Sequence, residues 1–233
     1  MADQGKGCGA LLLSIVAIAI AGYLLVDRHE ERSRAQREEF REVIVKLQEA
    51  SVAAESAGAE ASAARPWIYY DAARKLEDET PDVVGMVDYI ILANFAFDHS
   101  DLTAADQYVR KARRAIDQES DVAVAALGYG ALAHIYFRHA PKTELAKGRE
   151  FNKFALEKLD TLDNDKAFFI QLSLHQEWAM DEYSSGDQQA GDAQVAQAKK
   201  LIDGKDLSKR YVADWQKQLD EATIRAKVRG GLL

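Results

Sequence analysis

The chain has 233 residues, enough for a membrane segment plus one sizeable domain, and sets 30 lysines and arginines against 38 aspartates and glutamates. That balance argues against a nucleic-acid surface, which needs a clustered excess of basic side chains. Only three prolines occur, and Ala, Leu, Glu, Lys, Arg and Gln fill most of the chain, so an all-α fold is predicted. Cys8 is the sole cysteine, which excludes an intramolecular disulfide.

A short tail, residues 1–8, precedes an uncharged apolar run over residues 9–26, GALLLSIVAIAIAGYLLV. At about 1.5 Å per residue such a run covers most of a hydrocarbon layer about 30 Å thick, so a single transmembrane helix is predicted. Tyr23 suits the headgroup level at its far end. The competing reading is a cleaved signal peptide, with Lys6 as its basic start and Ala19-Ile20-Ala21 as a small-x-small cleavage site. Against it, the apolar run continues through Gly22, Tyr23, Leu24, Leu25 and Val26. A lipoprotein fits less well, because Cys8 precedes the apolar run and Ala2 stands where a myristoylated chain needs glycine. Orientation has two readings. Arg28, Arg32, Arg34, Arg37 and Arg41 follow the span while Lys6 precedes it, which favours a cytoplasmic domain, but these arginines are interleaved with Asp27, Glu30, Glu31, Glu38 and Glu39.

Residues 27–65 read as a charged helical stalk and an Ala-rich linker. Phe40, Val43, Ile44 and Leu47 recur at three- and four-residue intervals, the stripe of an amphipathic helix. That stripe either pairs two stalks or packs on the chain's own domain, and its short length favours the second. The segment ASVAAESAGAEASAAR over 50–65 is helix or tether, and Pro66 opens the next segment.

Residues 66–229 are predicted to form a helical domain with a repeated pattern. Leu92-Ala93 is followed by Phe97, a polar break at His99-Ser100-Asp101, then Ala105 and Ala112. Leu132-Ala133, Phe137, His139-Ala140-Pro141, Gly148 and Ala155 repeat the order, as do Trp178-Ala179, Tyr183, Ser185-Gly186-Asp187, Gly191 and Ala198. Small residues admit a second helix while the aromatic fills the space beside them. Ser100 or Asp101 would cap the helix after the first break. The arrangement resembles the tetratricopeptide repeat family over units of about 82–116, 122–159 and 168–202. Ala93, Ala133 and Ala179 lie 40 and 46 positions apart, where the family repeats every ~34, and three extra residues precede Gly148, so the array is a divergent one. Tyr211, Trp215, Leu219, Ala222 and Ala226 share one face of a capping helix over about 206–229.

The family resemblance implies a groove lined by the first helix of each unit, with Asn94, Asp98, His134, Arg138, Gln176 and Met180 facing a bound protein segment; the alternative reading is that some of them line a surface filled by the chain's own stalk or capping helix. A single span, a charged stalk and a domain of this kind together are similar to the bacterial inner-membrane proteins related to the ancillary subunit of the Sec translocon, a family whose helical domain lies in the periplasm.

The residues show no phosphate-binding glycine loop, serine elbow or Cys-x-x-Cys pair, so no enzyme, catalytic residue or cofactor is expected. No metal is expected either: His134 and His139 are five apart, which splits them across helix faces, and His99 and His139 fall at turns where solvated loop residues are the simpler reading. The expected partners are other proteins, membrane or envelope proteins first, and the bilayer through residues 9–26. The expected role is a single-pass scaffold or adaptor of a bacterial inner membrane, chaperone-like for envelope proteins, with an accessory subunit of a larger membrane complex as the alternative.

Overall fold

Short polar breaks decide where the helices start and stop. The structure, a computed structural model, describes residues 33–51, 53, 64–139 and 142–233. Among these the chain is all-α, with no strand. The helices are α1 (residues 33–51), α2 (Ala64–Glu79), α3 (Met86–Asp98), α4 (Leu102–Gln118), α5 (Val122–His139), α6 (Leu145–Leu159), α7 (Asn164–Ser185), α8 (Gln188–Asp203) and α9 (Lys209–Arg229). The expected span over residues 9–26 and the tail before it lie outside the described residues, as does most of the Ala-rich linker. No described helix is long and apolar enough to cross a membrane.

Two compact units divide the chain, Met1–Val84 and Gly85–Leu233, so the expected domain of 66–229 straddles the division, with α2 in the first unit. In that unit Phe40, Ile44 and Leu47 are buried on one face of α1, and Tyr70 and Ala73 are buried on α2. Pro66 falls in the first turn of α2, where its missing N–H costs no helical hydrogen bond.

The second unit is a series of helical hairpins. Three helix pairs, α3 with α4, α5 with α6 and α7 with α8, pack against each other, and the first helices α3, α5 and α7 touch in succession, with α9 packed on α7. Asp101 Oδ1 accepts from Ala104 N at 3.1 Å and Asp187 Oδ1 from Ala190 N at 3.0 Å, so each carboxylate starts the second helix of its hairpin. Caps of this kind contribute about 1 kcal/mol each. Gly186 closes α7 with φ of 91°, a left-handed conformation that side chains disfavour, and lets Asp187 N reach Glu182 O at 2.9 Å.

All nine small residues of the repeated pattern are buried: Ala93, Ala105 and Ala112; Ala133, Gly148 and Ala155; Ala179, Gly191 and Ala198. The Phe137 ring lies over Gly148, where a methyl group would come within 2.9 Å of it, and the Tyr183 ring covers Gly191 at closer range. Rings also join successive hairpins. Phe97 meets Tyr136 edge-on at 5.4 Å, and Tyr136 packs on Phe151 at 5.7 Å. At the far end Trp215 and Leu219 of α9 close a cluster with Phe168, Leu172, Ala198 and Ile202. Each such large apolar side chain contributes about 2 kcal/mol when fully buried, which is what holds α9 against the last hairpin.

Glu182 is the most deeply buried charged side chain among the described residues, with 1% of its surface exposed. Arg149 of α6 grips it with both ends of the guanidinium, Nε to Oε1 at 2.8 Å and Nη2 to Oε2 at 2.7 Å, and Nη2 also donates to Asp187 Oδ2 at 2.9 Å. Trp178 Nε1 donates to Glu182 Oε1 at 2.8 Å.

Two outcomes follow from this packing. Gly191→Ala is expected to destabilise by about 1 to 3 kcal/mol through overpacking on Tyr183, even though alanine is the better helix former by about 1 kcal/mol. Gly204→Ala, whose new methyl meets nothing nearer than 3.4 Å, is expected to be neutral or stabilising; urea denaturation of the two variants checks this, and equal effects would refute the close approach. Arg149→Ala leaves a buried carboxylate without its cation and is expected to cost about 3 kcal/mol or more. Adding Glu182→Gln removes that charge while keeping an acceptor for Trp178, so the double variant should regain much of the loss in the same assay.

Candidate functional site

The first helices present a run of polar side chains along one surface of the array. Asn94 Nδ2 donates to Asp98 Oδ2 at 3.1 Å within α3, and Asp98 Oδ1 meets His139 Nδ1 of α5 at 2.6 Å. One step along, His134 Nδ1 of α5 donates to Asp181 Oδ1 of α7 at 2.8 Å. The two histidines five residues apart thus serve opposite neighbours, α3 and α7. His139, expected as a solvated loop residue, has only 13% of its side chain exposed, because the end of α5 is pressed against Asp98. His99 is exposed at the end of α3, with its ring stacked on Phe95 at 4.0 Å and its Nδ1 2.9 Å from the Phe95 carbonyl oxygen.

Beyond His134 the surface opens into a cleft of about 640 Å³ between α7 and α9. Gln176 and Met180 form its α7 wall, Gln218, Leu219 and Ala222 its α9 wall, and His134 reaches its edge from α5. Of the six residues expected to line a groove, the structure brings His134, Gln176 and Met180 together here. Asn94 and Asp98 are instead engaged with each other and with His139, outside the cleft. Arg138 is exposed one turn from His134, and its charge acts on both His134 and Asp181.

Four charged side chains that sequence reasoning did not single out also border the cleft: Glu177 and Asp181 of α7, Glu221 and Arg225 of α9. A signal for two of them was present, since Glu177 and Asp181 sit four apart and flank Gln176 and Met180 in sequence. The α9 pair was hidden because Ala222 reads as part of that helix's buried stripe, whereas it is half-buried at the cleft wall. Loss of solvation is the chief cause that pushes the buried carboxyl of Asp181, and that of the surface residue Glu177 beside it, above the usual carboxylate range. His134 is raised above its ordinary value, first by its hydrogen bond to Asp181. His175, on the other side of α7, is lowered by burial and donates from Nδ1 to Gln194 Oε1 of α8 at 2.8 Å.

Among the described residues there is no group of three or more His, Cys, Asp or Glu side chains placed to hold a metal ion. The cleft lining combines amide groups, an apolar floor at Met180 and Leu219, and carboxylates. No protein-family model matches this chain, and neither does any curated protein or any solved structure.

The His134 pair has a defined pH signature. A histidine whose pKa is raised by folding holds its proton more tightly in the folded chain, so its contribution is full below the unfolded value and is lost as pH rises through the folded one. Asp181, raised by burial, has the same sign. In urea denaturation the stability of His134→Gln is expected to fall less than that of the parent chain between about pH 6 and about pH 8. The difference should be about 0.5 kcal/mol, since His134 is half-exposed and screened by solvent. Parallel pH profiles for the two proteins would show that the pair is not proton-linked to folding.

Proposed function

We propose that this chain is a membrane-anchored scaffold or adaptor whose divergent tetratricopeptide-like hairpin array holds segments of other proteins, with assembling envelope proteins as its clients. The observation that carries the reading is the cleft between α7 and α9, lined by His134, Gln176 and Met180 on the surface formed by successive first helices. Hairpin arrays of this kind expose a continuous surface suited to an extended or helical peptide. The anchor in this proposal is the apolar run over residues 9–26, and α9 is the cap that shields the last hairpin. The scaffold acts by holding and positioning, with affinity from apolar contact and orientation from the polar rim.

A photo-reactive amino acid placed at Gln176 in the full chain, in intact cells, is expected to cross-link to several different polypeptides. The same group at Lys153, exposed on α6, is expected to give none of those products. One partner captured in stoichiometric yield would instead make the chain an accessory subunit of a larger membrane complex. Loss of any difference between Gln176 and Lys153 would remove the cleft as the binding surface.

A further inference from the structure

The faces of α7 and α9 that wall the cleft carry exposed rings further toward the starts of the two helices. Phe169, Ser173, Gln176 and Met180 follow one another at intervals of four, three and four along α7 and so lie on one face. Phe169 is 58% exposed and Tyr211 of α9 is 37% exposed, and their rings meet edge-on at 6.4 Å. Tyr211, Gln218 and Ala222, seven and four apart, share the matching face of α9. The two helices run in the same direction, for Phe169 meets Tyr211 near their starts and Gly230, just past α9, abuts the backbone of Tyr183 near the end of α7. This face, apolar at its two ends and polar at Ser173 and Gln176 between them, runs about 16 Å from the aromatic pair to Met180 at the rise of an α-helix, which accommodates about five residues of extended chain.

Charge decides what kind of chain fits. Glu177, Asp181 and Glu221 border the cleft against the guanidinium of Arg225 in its wall and that of Arg138 beside His134, and Asp181 is already hydrogen-bonded to His134. Glu177 accepts only a long hydrogen bond, 3.4 Å from the Ser173 hydroxyl. An acidic segment or an anionic lipid headgroup would meet repulsion here. With no group of side chains placed to hold a metal ion among the described residues, the complementary cation is an organic one, at the end of a flexible side chain whose stem can lie along Met180 and the aromatic pair.

Resting on the scaffold reading above, we infer that the cleft between α7 and α9 takes a protein segment that presents lysine or arginine beside large apolar side chains. The apolar residues of that segment lie along Phe169, Tyr211 and Met180, and its cation sits between Glu177 and Glu221.

The test is fluorescence anisotropy on the full chain in a neutral detergent, with empty micelles as the blank. The probes are three short labelled peptides: one alternating leucine and lysine, one alternating leucine and glutamate, and one alternating serine and lysine. The leucine–lysine peptide is expected to bind, and the other two to bind at least about tenfold more weakly. The double substitution Glu177→Gln with Glu221→Gln, both at exposed positions, is expected to weaken the leucine–lysine peptide by about tenfold and to reduce the salt dependence of its binding. Glu157→Gln on exposed α6 controls for the overall negative charge and should change neither. Equal binding of the lysine and glutamate peptides, or equal loss with Glu157→Gln, overturns the inference. If no peptide binds while Gln176 still cross-links to other polypeptides, the scaffold reading stands and this inference fails; cross-links from Gln176 that join only two copies of the chain would likewise overturn it.

Discussion

The carboxylate of Glu182 is the constraint on which the C-terminal half of the array depends. It is buried on α7 and cannot be left unpaired without a large desolvation cost. Its two oxygens are met by Arg149 from α6 and by the Trp178 indole one turn back, which sets the approach of the second hairpin to the third. The same guanidinium reaches Asp187, whose other oxygen caps α8. One arginine thus ties together the second helix of one hairpin, the first helix of the next, and the turn that launches α8. A hydrophobic pair of equal volume would pack as well, but it would not fix the rotation of α6 about its axis as two parallel hydrogen bonds do. That rotation places Gly148 under Phe137 and so lets α6 lie close to α5.

Successive first helices are joined by a second, softer device. Asp98 to His139 bridges α3 and α5, and His134 to Asp181 bridges α5 and α7. Both pairs put a histidine of α5 against a carboxylate of a neighbouring first helix, one near the end of α5 and one a turn earlier, so they brace α5 from its two sides. In the pair at α3 the histidine is covered while Asp98 stays partly exposed. The pair at α7 sits at the cleft edge, where His134 is half-exposed, so the chemistry that spaces the helices also colours the surface they present.

The helical class was legible because almost every position favours a helix, and the register of the hairpins was legible because small residues must recur where two helices approach closely. Asp101 could be read as a cap from its place after a polar break. The role of Glu182 could not. In sequence it is one acidic residue in a run of polar and apolar ones, and its partner Arg149 stands 33 positions away; only the packing of α6 on α7 brings them together. His139 was misread for a related reason. Its place at the His139-Ala140-Pro141 break suggested solvent, while the contact that covers it comes from Asp98 on another helix. The break between Val84 and Gly85 was also unreadable, since α2 has the same helix-forming composition as the helices that follow.

The candidate surface shows the same boundary between local and tertiary information. Counting helix periods from the small packing residues selects positions on the first helices, and places Gln176 and Met180 where they line the cleft. The same count places Asn94 and Asp98 outside the cleft, where Asn94 donates to Asp98 and Asp98 meets His139 of the neighbouring helix. It fails for α9, which the pattern treats as a cover. Trp215 and Leu219 do bury themselves in the last hairpin, but an α-helix with a buried stripe has flanks, and one flank of α9 carries Gln218, Glu221 and Ala222 into the wall of the cleft. A terminal helix packed beside a first helix in the same direction shields the core and supplies one wall of the cleft at once.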